Sequence, residues 1–170
     1  MTKKKYIFWI TGLPGSGKTT IAKKIHKRIE KKYGPTIEIS GDELRKNFSN
    51  VIKFDGDELR KIFQVSSTCY SRDDRVQLGL TYSRLVAELV DQGFFVIIAV
   101  IGLYEEIHEW NKTNISPFYD VFLDVPISEL RNRDPKGLYM RHSDGLVSNV
   151  AGLDFPVDPP STPWAHIKWS

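Results

Sequence analysis

An α/β domain, built on a mainly parallel sheet with helices on both faces, is the fold that three features of the sequence predict. Strand-like apolar runs alternate with segments of helical periodicity. The runs Tyr6 to Thr11 and Phe94 to Ile101 are almost continuously apolar, as strands buried on both faces are. The length of 170 residues, with 41% hydrophobic and 26% charged residues, suits one compact core spanning residues 1–170.

The elements follow in order. Tyr6 to Thr11 reads as a buried strand and runs into a glycine-rich turn. From Lys18, Ile21, Ala22, Ile25 and Ile29 recur at helical spacing, and the lysine-rich last turn before Gly34 complements the helix dipole. Ser71 with Asp74 resembles a capping box opening a second helix, whose stripe is Val76, Leu80, Leu85, Val86, Leu89 and Val90, ending before Gly93. Phe94 to Ile101 is a strand, Glu105 to Asn111 a short helix with Trp110 packed on the sheet, Tyr119 to Leu123 a strand, and Ile127 to Arg131 the start of a helix. From Arg131 to Pro160 periodicity fades and glycine, proline and charge accumulate, the pattern of a lid, binding loop or tail. Pro156 to Pro163 reads as an extended tail, with Trp164 and Trp169 available to cover a neighbouring chain or a nucleotide.

Composition excludes several classes. The single cysteine, Cys69, rules out an intramolecular disulfide framework, and no apolar stretch approaches the ~18 residues of a membrane helix. A cytoplasmic protein without membrane contact is expected. The net charge of +3 owes much to Lys3 to Lys5 and to Lys23 to Lys32, which reads as a solvated helix face rather than a nucleic-acid surface. His26, His108, His142 and His166 lack metal-ligand spacing.

One internal repeat is present. Thr36 to Asn50 and Val51 to Val65 align with eight identities: Ile37 with Ile52, Phe48 with Phe63, and Gly41-Asp42-Glu43-Leu44-Arg45-Lys46 with Gly56-Asp57-Glu58-Leu59-Arg60-Lys61. Two copies are too few for a solenoid, so this is a local duplication of a strand and the start of a helix, and at most one copy can fill the strand slot.

The chemistry begins at Gly12-Leu13-Pro14-Gly15-Ser16-Gly17-Lys18-Thr19, a full P-loop pattern between a predicted strand and a predicted helix. Its glycines allow backbone N–H groups to converge on phosphate oxygens at a helix N-terminus. Lys18 can neutralise β/γ charge, the Thr19 hydroxyl can join a Mg²⁺ shell, and Thr20 extends the ATP-binding set. A P-loop NTPase-like three-layer fold follows. The motif alone does not separate a kinase from a GTPase or a nucleotide sensor.

Carboxylates narrow the choice. Asp55-Gly56-Asp57 follows the strand-like Val51 to Phe54, so a carboxylate could sit at the C-terminal sheet edge, where open α/β sheets bind ligands, and deprotonate an acceptor hydroxyl. Arg60, Arg75 and Arg72 could supply donors to an acidic substrate. The bland alternative makes Asp57 a helix cap and the arginines surface ion pairs.

In their order, the P-loop, Asp-Gly-Asp-x-x-Arg, Ser71-Arg72-Asp73-Asp74-Arg75, the strand Phe94 to Ile101, Asp124-Val125-Pro126 and Arg133-Asp134-Pro135-Lys136-Gly137-Leu138-Tyr139 resemble adenylylsulfate kinases over nearly the whole chain. Asn149-Val150-Ala151-Gly152-Leu153-Asp154 resembles the later part of that family's mobile lid, here about residues 133–155. The resemblance implies transfer of the ATP γ-phosphoryl group to the ribose 3′-hydroxyl of a small nucleotide, with Mg²⁺, in a homodimer. It further implies that Asp57 contacts the acceptor hydroxyl with Asp55 beside it, that Arg60 and Arg75 bind the acceptor's anionic group, that Tyr70 stacks on its base, and that Lys136 and Leu138 close over the site. Asp42 and Arg45 are the first-copy counterparts of Asp57 and Arg60.

Departures from the pattern shape the expected acceptor. Ile101-Gly102-Leu103-Tyr104 stands where the family has Ile-Ser-Pro-Phe, so no serine is available for a phosphorylated intermediate and direct in-line transfer is expected. Leu78 stands where the family has asparagine and cannot make the same hydrogen bonds. The Gly-Asp-Glu-Leu-Arg, Tyr82-Ser83-Arg84-Leu85 and His108-Glu109-Trp110-Asn111 segments are similar to divergent kinases of bacterial polysaccharide loci, which implies cytidine diphosphoramidate, used in capsule phosphoramidate synthesis, as the acceptor. Adenylylsulfate is the alternative, and a non-catalytic nucleotide-binding regulator is the alternative of another class. Counting from Lys18 favours the first copy of the repeat for the acidic turn; counting back from Arg75 favours the second. The second is preferred because it keeps both aspartates where the first has Ser40.

Overall fold

Among the described residues, five strands, all paired in parallel, form one sheet in the order β2-β3-β1-β4-β5. The computed structural model describes residues 6–34, 36–40, 71–91 and 94–170, with backbone alone at 37–40. The chain runs β1 (Ile7–Gly12), α1 (Lys18–Tyr33), β2 (Thr36–Ser40), α2 (Arg72–Asp91), β3 (Phe95–Ala99), α3 (Glu105–Asn114), β4 (Phe118–Asp124), α4 (Ile127–Arg133), α5 (Leu138–Ser143) and β5 (Ala165–Lys168).

Strand periodicity sorts the core into two layers. Ile7, Trp9, Val96, Ile98 and Val100 face one side and pack with Val76, Val86 and Val90 of α2 and Ile107 of α3. Ile10, Ile97, Ala99, Val121 and Leu123 face the other side and meet Ala22 of α1, with Ile21 and Ile25 beside it. The three-layer expectation is thus realised, and Trp110 packs against the α2/α3 layer as expected. Burial of each valine, isoleucine or leucine among them contributes roughly 1.5–3 kcal/mol.

The α2 capping box is complete: the Ser71 hydroxyl donates to Asp74 Oδ2 at 2.7 Å and accepts from the Asp74 N–H at 3.2 Å, while the Ser71 N–H reaches the same carboxylate. The buried seam of α2 differs from the expected stripe. It runs Val76, Gly79, Ser83, Val86, Val90, with Leu80 and Leu89 only partly buried. The reason lies at Gly79, where an added Cβ would run into Ile107, so small residues let α2 and α3 approach closely. Inside that layer, His108 Nδ1 lies 3.3 Å from Asp120 Oδ2, both side chains buried.

Three further corrections follow. The strand slot beside β3 is filled by Thr36–Ser40, the start of the first copy of the repeat, and not by the second copy. Helix α1 ends at Tyr33, and Thr36 is already in β2, a connection of the short length usual between a helix and the next strand. The second copy, including Val51 to Phe54, lies outside the described residues. The segment after Arg131 holds the short helix α5, and the tail ends in the edge strand β5. Trp164 packs edge-on against Phe8 and Tyr119, and Trp169 lies under the Arg133 guanidinium at 3.7 Å, with both indoles still largely exposed. Among the described residues, no helix is long and apolar enough to cross a membrane.

Candidate active site

The turn after β1 is shaped by glycine. An added Cβ at Gly12 would fall 2.6 Å from Ser16 Oγ and 2.9 Å from the Leu123 carbonyl, and Gly17 takes a left-handed conformation (φ 93°) at the start of α1. The N–H groups of the first turn of α1 therefore open toward solvent beside the C-terminal edge of the sheet, a ready anion site. Lys18 folds back across the turn and donates to the Leu13 carbonyl at 2.8 Å. Thr19 and Thr20 stand exposed at the helix start.

Next to this turn is a cleft of about 620 Å³. Pro14, Gly15 and Gly17 to Thr20 form one side, and Arg75, Leu78, Gly79 and Tyr82 of α2 form the opposite wall. Val100 to Gly102 and Tyr104, following β3, make the floor, and Arg133 to Lys136, Leu138 and Tyr139 make the roof. The cleft occupies the C-terminal end of β1, the strand with β3 on one side and β4 on the other, which is where open parallel sheets bind ligands. Pro14, Gly15, Gly17 to Thr20, Arg75, Lys136 and Leu138 named from sequence are thus brought together, while Gly12, Leu13 and Ser16 shape the turn without lining the cleft. Asp42, Arg45, Asp55, Asp57, Arg60 and Tyr70 lie outside the described residues.

The roof is fastened to the phosphate turn. Asp134 accepts from the N–H groups of Leu138 and Met140 at 2.7 and 2.9 Å and so fixes the start of α5. Tyr139, buried in a small cluster with Val125 and Leu130, donates its hydroxyl to the Pro14 carbonyl at 2.9 Å. Burial pushes that hydroxyl up to about 12, so it stays a donor. Gly152 approaches Leu13 closely (φ 83°), and a Cβ there would lie 2.9 Å from Leu13 Cδ2. Arg75 donates to the Asn149 carbonyl and lies 5.0 Å over the Phe155 ring. His142 at 2.7 Å, with the Val150 N–H, holds the Asp154 carboxyl below its ordinary range and ties α5 to residues 149–155. Tyr139→Phe should therefore lower the thermal midpoint by an amount equivalent to about 1 kcal/mol. It should also raise the KM for ATP several-fold; an unchanged midpoint and KM would mean the contact is idle.

Arg72 is corrected from a substrate donor to a structural one. It forms a bidentate pair with Glu106 at 2.6 and 3.0 Å, bonds Asp158 at 2.7 Å and lies over the Tyr104 ring, joining α2, α3 and the segment before β5. The paired Arg72 holds the Glu106 carboxyl below its ordinary range, and the two carboxylates hold Arg72 firmly charged. Sequence reasoning missed Tyr82, Tyr104 and Arg133 as cleft residues. The signals for Tyr104 were its place just after a buried strand and its standing where the resembled family has phenylalanine.

Comparison with known proteins follows the same lines. The family model described as adenylylsulphate kinase matches residues 4–54 and 49–168, two stretches that meet within the duplicated segment. The chain is 34% identical to the cytidine diphosphoramidate kinase of Campylobacter jejuni subsp. jejuni serotype O:2, over 94% of this chain and 84% of that protein. It is 29% identical to the adenylyl-sulfate kinase of Gloeothece citriformis, over 99% and 86%. Among solved structures, the Mycobacterium tuberculosis APS kinase CysC in complex with AMPPNP and APS superposes with a TM-score of 0.77 at 25% identity, covering 97% of this chain and 88% of that one.

Proposed function

The chain belongs to the adenylylsulphate kinase family, and from that premise we propose that it transfers the γ-phosphoryl group of ATP to the ribose 3′-hydroxyl of cytidine diphosphoramidate. The observation that carries the choice of acceptor is Leu78. It lines the cleft wall one turn beyond Arg75, at the position where the resembled adenylylsulfate kinases carry a hydrogen-bonding asparagine. The stronger likeness to a cytidine diphosphoramidate kinase than to an adenylyl-sulfate kinase supports the same reading.

The chain's own groups account for the chemistry. The N–H groups at the start of α1 and the Lys18 ammonium bind the β- and γ-phosphates and offset the charge that collects on them during transfer. The acceptor oxygen attacks the γ-phosphorus in line, the bond to the β–γ bridging oxygen breaks, and ADP leaves. The acceptor proton passes to a carboxylate of the Gly-Asp-Glu-Leu-Arg repeat, Asp42 or Asp57. Gly102 at the sheet edge offers no hydroxyl, which supports direct transfer rather than a phosphorylated enzyme. The exposed Thr19 hydroxyl at the start of α1 is a hard oxygen ligand suited to Mg²⁺. Bound there, Mg²⁺ would neutralise phosphate charge. Arg75 orients the acceptor's anionic end, and Lys136, Leu138 and Tyr139 of the roof exclude water. The enzyme works in the cytoplasm as a homodimer in this reading.

Adenylylsulfate is the second reading, supported by the family itself. Steady-state kinetics with both acceptors, ATP and Mg²⁺ separate the two: kcat/KM should favour the cytidine acceptor by at least about tenfold, and preference for adenylylsulfate would reverse the assignment.

A further inference from the structure

Of the side chains lining the cleft, Tyr104 is the one whose polar atom is buried without a hydrogen-bond partner among the described residues. It follows β3 and caps α3, with extended backbone (φ −140°, ψ 131°), and is only 2% exposed. Leaving a hydroxyl in such a place costs about 1–3 kcal/mol, so its retention calls for a partner that arrives with a ligand. Its surroundings locate that partner. The ring sits in the α2/α3 layer with Ile107, and the charges that act on the hydroxyl are Arg75 and Arg72 on α2, Asp158, and Glu106 on α3. This is the acceptor side of the cleft, opposite the phosphate turn.

Leu78, Gly79 and Ile107 of the same wall offer no side-chain hydrogen bonds, and its other polar side chains are Arg75 and Tyr82. The close approach of α2 and α3 at Gly79 leaves no room there for a larger side chain. Burial raises the Tyr104 hydroxyl above its ordinary range, so it meets a ligand as a neutral donor.

We propose that the Tyr104 hydroxyl reads the acceptor base, donating a hydrogen bond to a ring keto oxygen of a pyrimidine nucleotide held between α2 and α3. Cytosine has that oxygen and adenine lacks it, so the contact discriminates between the two acceptor classes. The inference rests on the nucleotide-kinase reading and adds the residue that selects the base.

Tyr104→Phe keeps the ring and removes the donor. It should lower kcat/KM for cytidine diphosphoramidate about tenfold, chiefly through KM, since losing one buried hydrogen bond to a ligand carries about that factor. Turnover of adenylylsulfate and the KM for ATP should not change. The thermal midpoint should hold or rise, because an unpartnered buried hydroxyl has been removed. Equal losses on both acceptors, or no loss on either, would overturn the proposal. If the parent protein phosphorylates neither acceptor, the kinase reading fails while the contact is still measurable by titration calorimetry with CDP. Binding about tenfold weaker in Tyr104→Phe than in the parent supports the contact; equal binding refutes it.

Discussion

Lys18→Ala is expected to lower phosphoryl transfer about 10³-fold or more while leaving the fold intact. The side chain is partly exposed and donates to the Leu13 carbonyl and Ser16 Oγ. Because the side chain is only partly buried, the thermal midpoint in the absence of nucleotide should move by less than the equivalent of about 1 kcal/mol. What disappears is a fixed positive charge at the phosphate turn, whose Leu13 packs in the cluster with Tyr139 and Leu153. Such charges matter most in the transition state, when negative charge spreads over the transferring oxygens. Transfer by the parent protein that vanishes in this variant also excludes the non-catalytic regulator, because a scaffold has no turnover to lose. Transfer persisting within tenfold of the parent would move the phosphate site away from this turn.

Asp42→Asn should reduce kcat by about 10²- to 10⁴-fold, and Asp57→Asn by less than tenfold. The two residues occupy equivalent places in the repeat, and sequence alone favoured Asp57. The strand evidence reverses that preference. Thr36–Ser40 pairs with β3, and its last residue, Ser40, stands opposite Ala99, whose neighbours Val100 and Ile101 form the cleft floor. Asp42 follows Ser40 by two residues, within about 7 Å of chain. Asp57 follows it by seventeen. Measuring kcat at saturating ATP and acceptor, with melting as a control, decides between the copies. A large loss confined to Asp57→Asn would place the second copy at the acceptor; no loss in either would remove the carboxylate from the proton transfer.

What was legible in the sequence was whatever local chemistry dictates. Gly12 and Gly17 are required by backbone geometry that other residues resist, so the phosphate turn could be read residue by residue. Ser71 and Asp74 satisfy each other across one helical turn, so the start of α2 was visible from spacing alone. The buried strands declared themselves by continuous apolar runs. What stayed hidden depends on distance along the chain. The two copies of the repeat carry the same pattern, and the length of the connection from α1, not their composition, decides which enters the sheet. Arg72 looked like a substrate donor because its partners Glu106 and Asp158 lie 34 and 86 residues away. Strand β5 has four residues, three of them exposed, and is held by pairing with β4 rather than by its own apolar pattern. The cleft role of Tyr104 required knowing that α2 and α3 converge at Gly79.

The central claim is that this cleft phosphorylates the 3′-hydroxyl of a cytidine nucleotide. Phosphorus NMR of the product formed from ATP, Mg²⁺ and cytidine diphosphoramidate, run beside the same reaction with adenylylsulfate, tests it most directly. A new phosphomonoester signal coupled to the ribose 3′ proton of the cytidine product is expected, formed one-for-one with ADP and at least about tenfold faster than any adenylylsulfate product. A monoester formed only on adenylylsulfate, or ADP released without a phosphorylated acceptor, would contradict it.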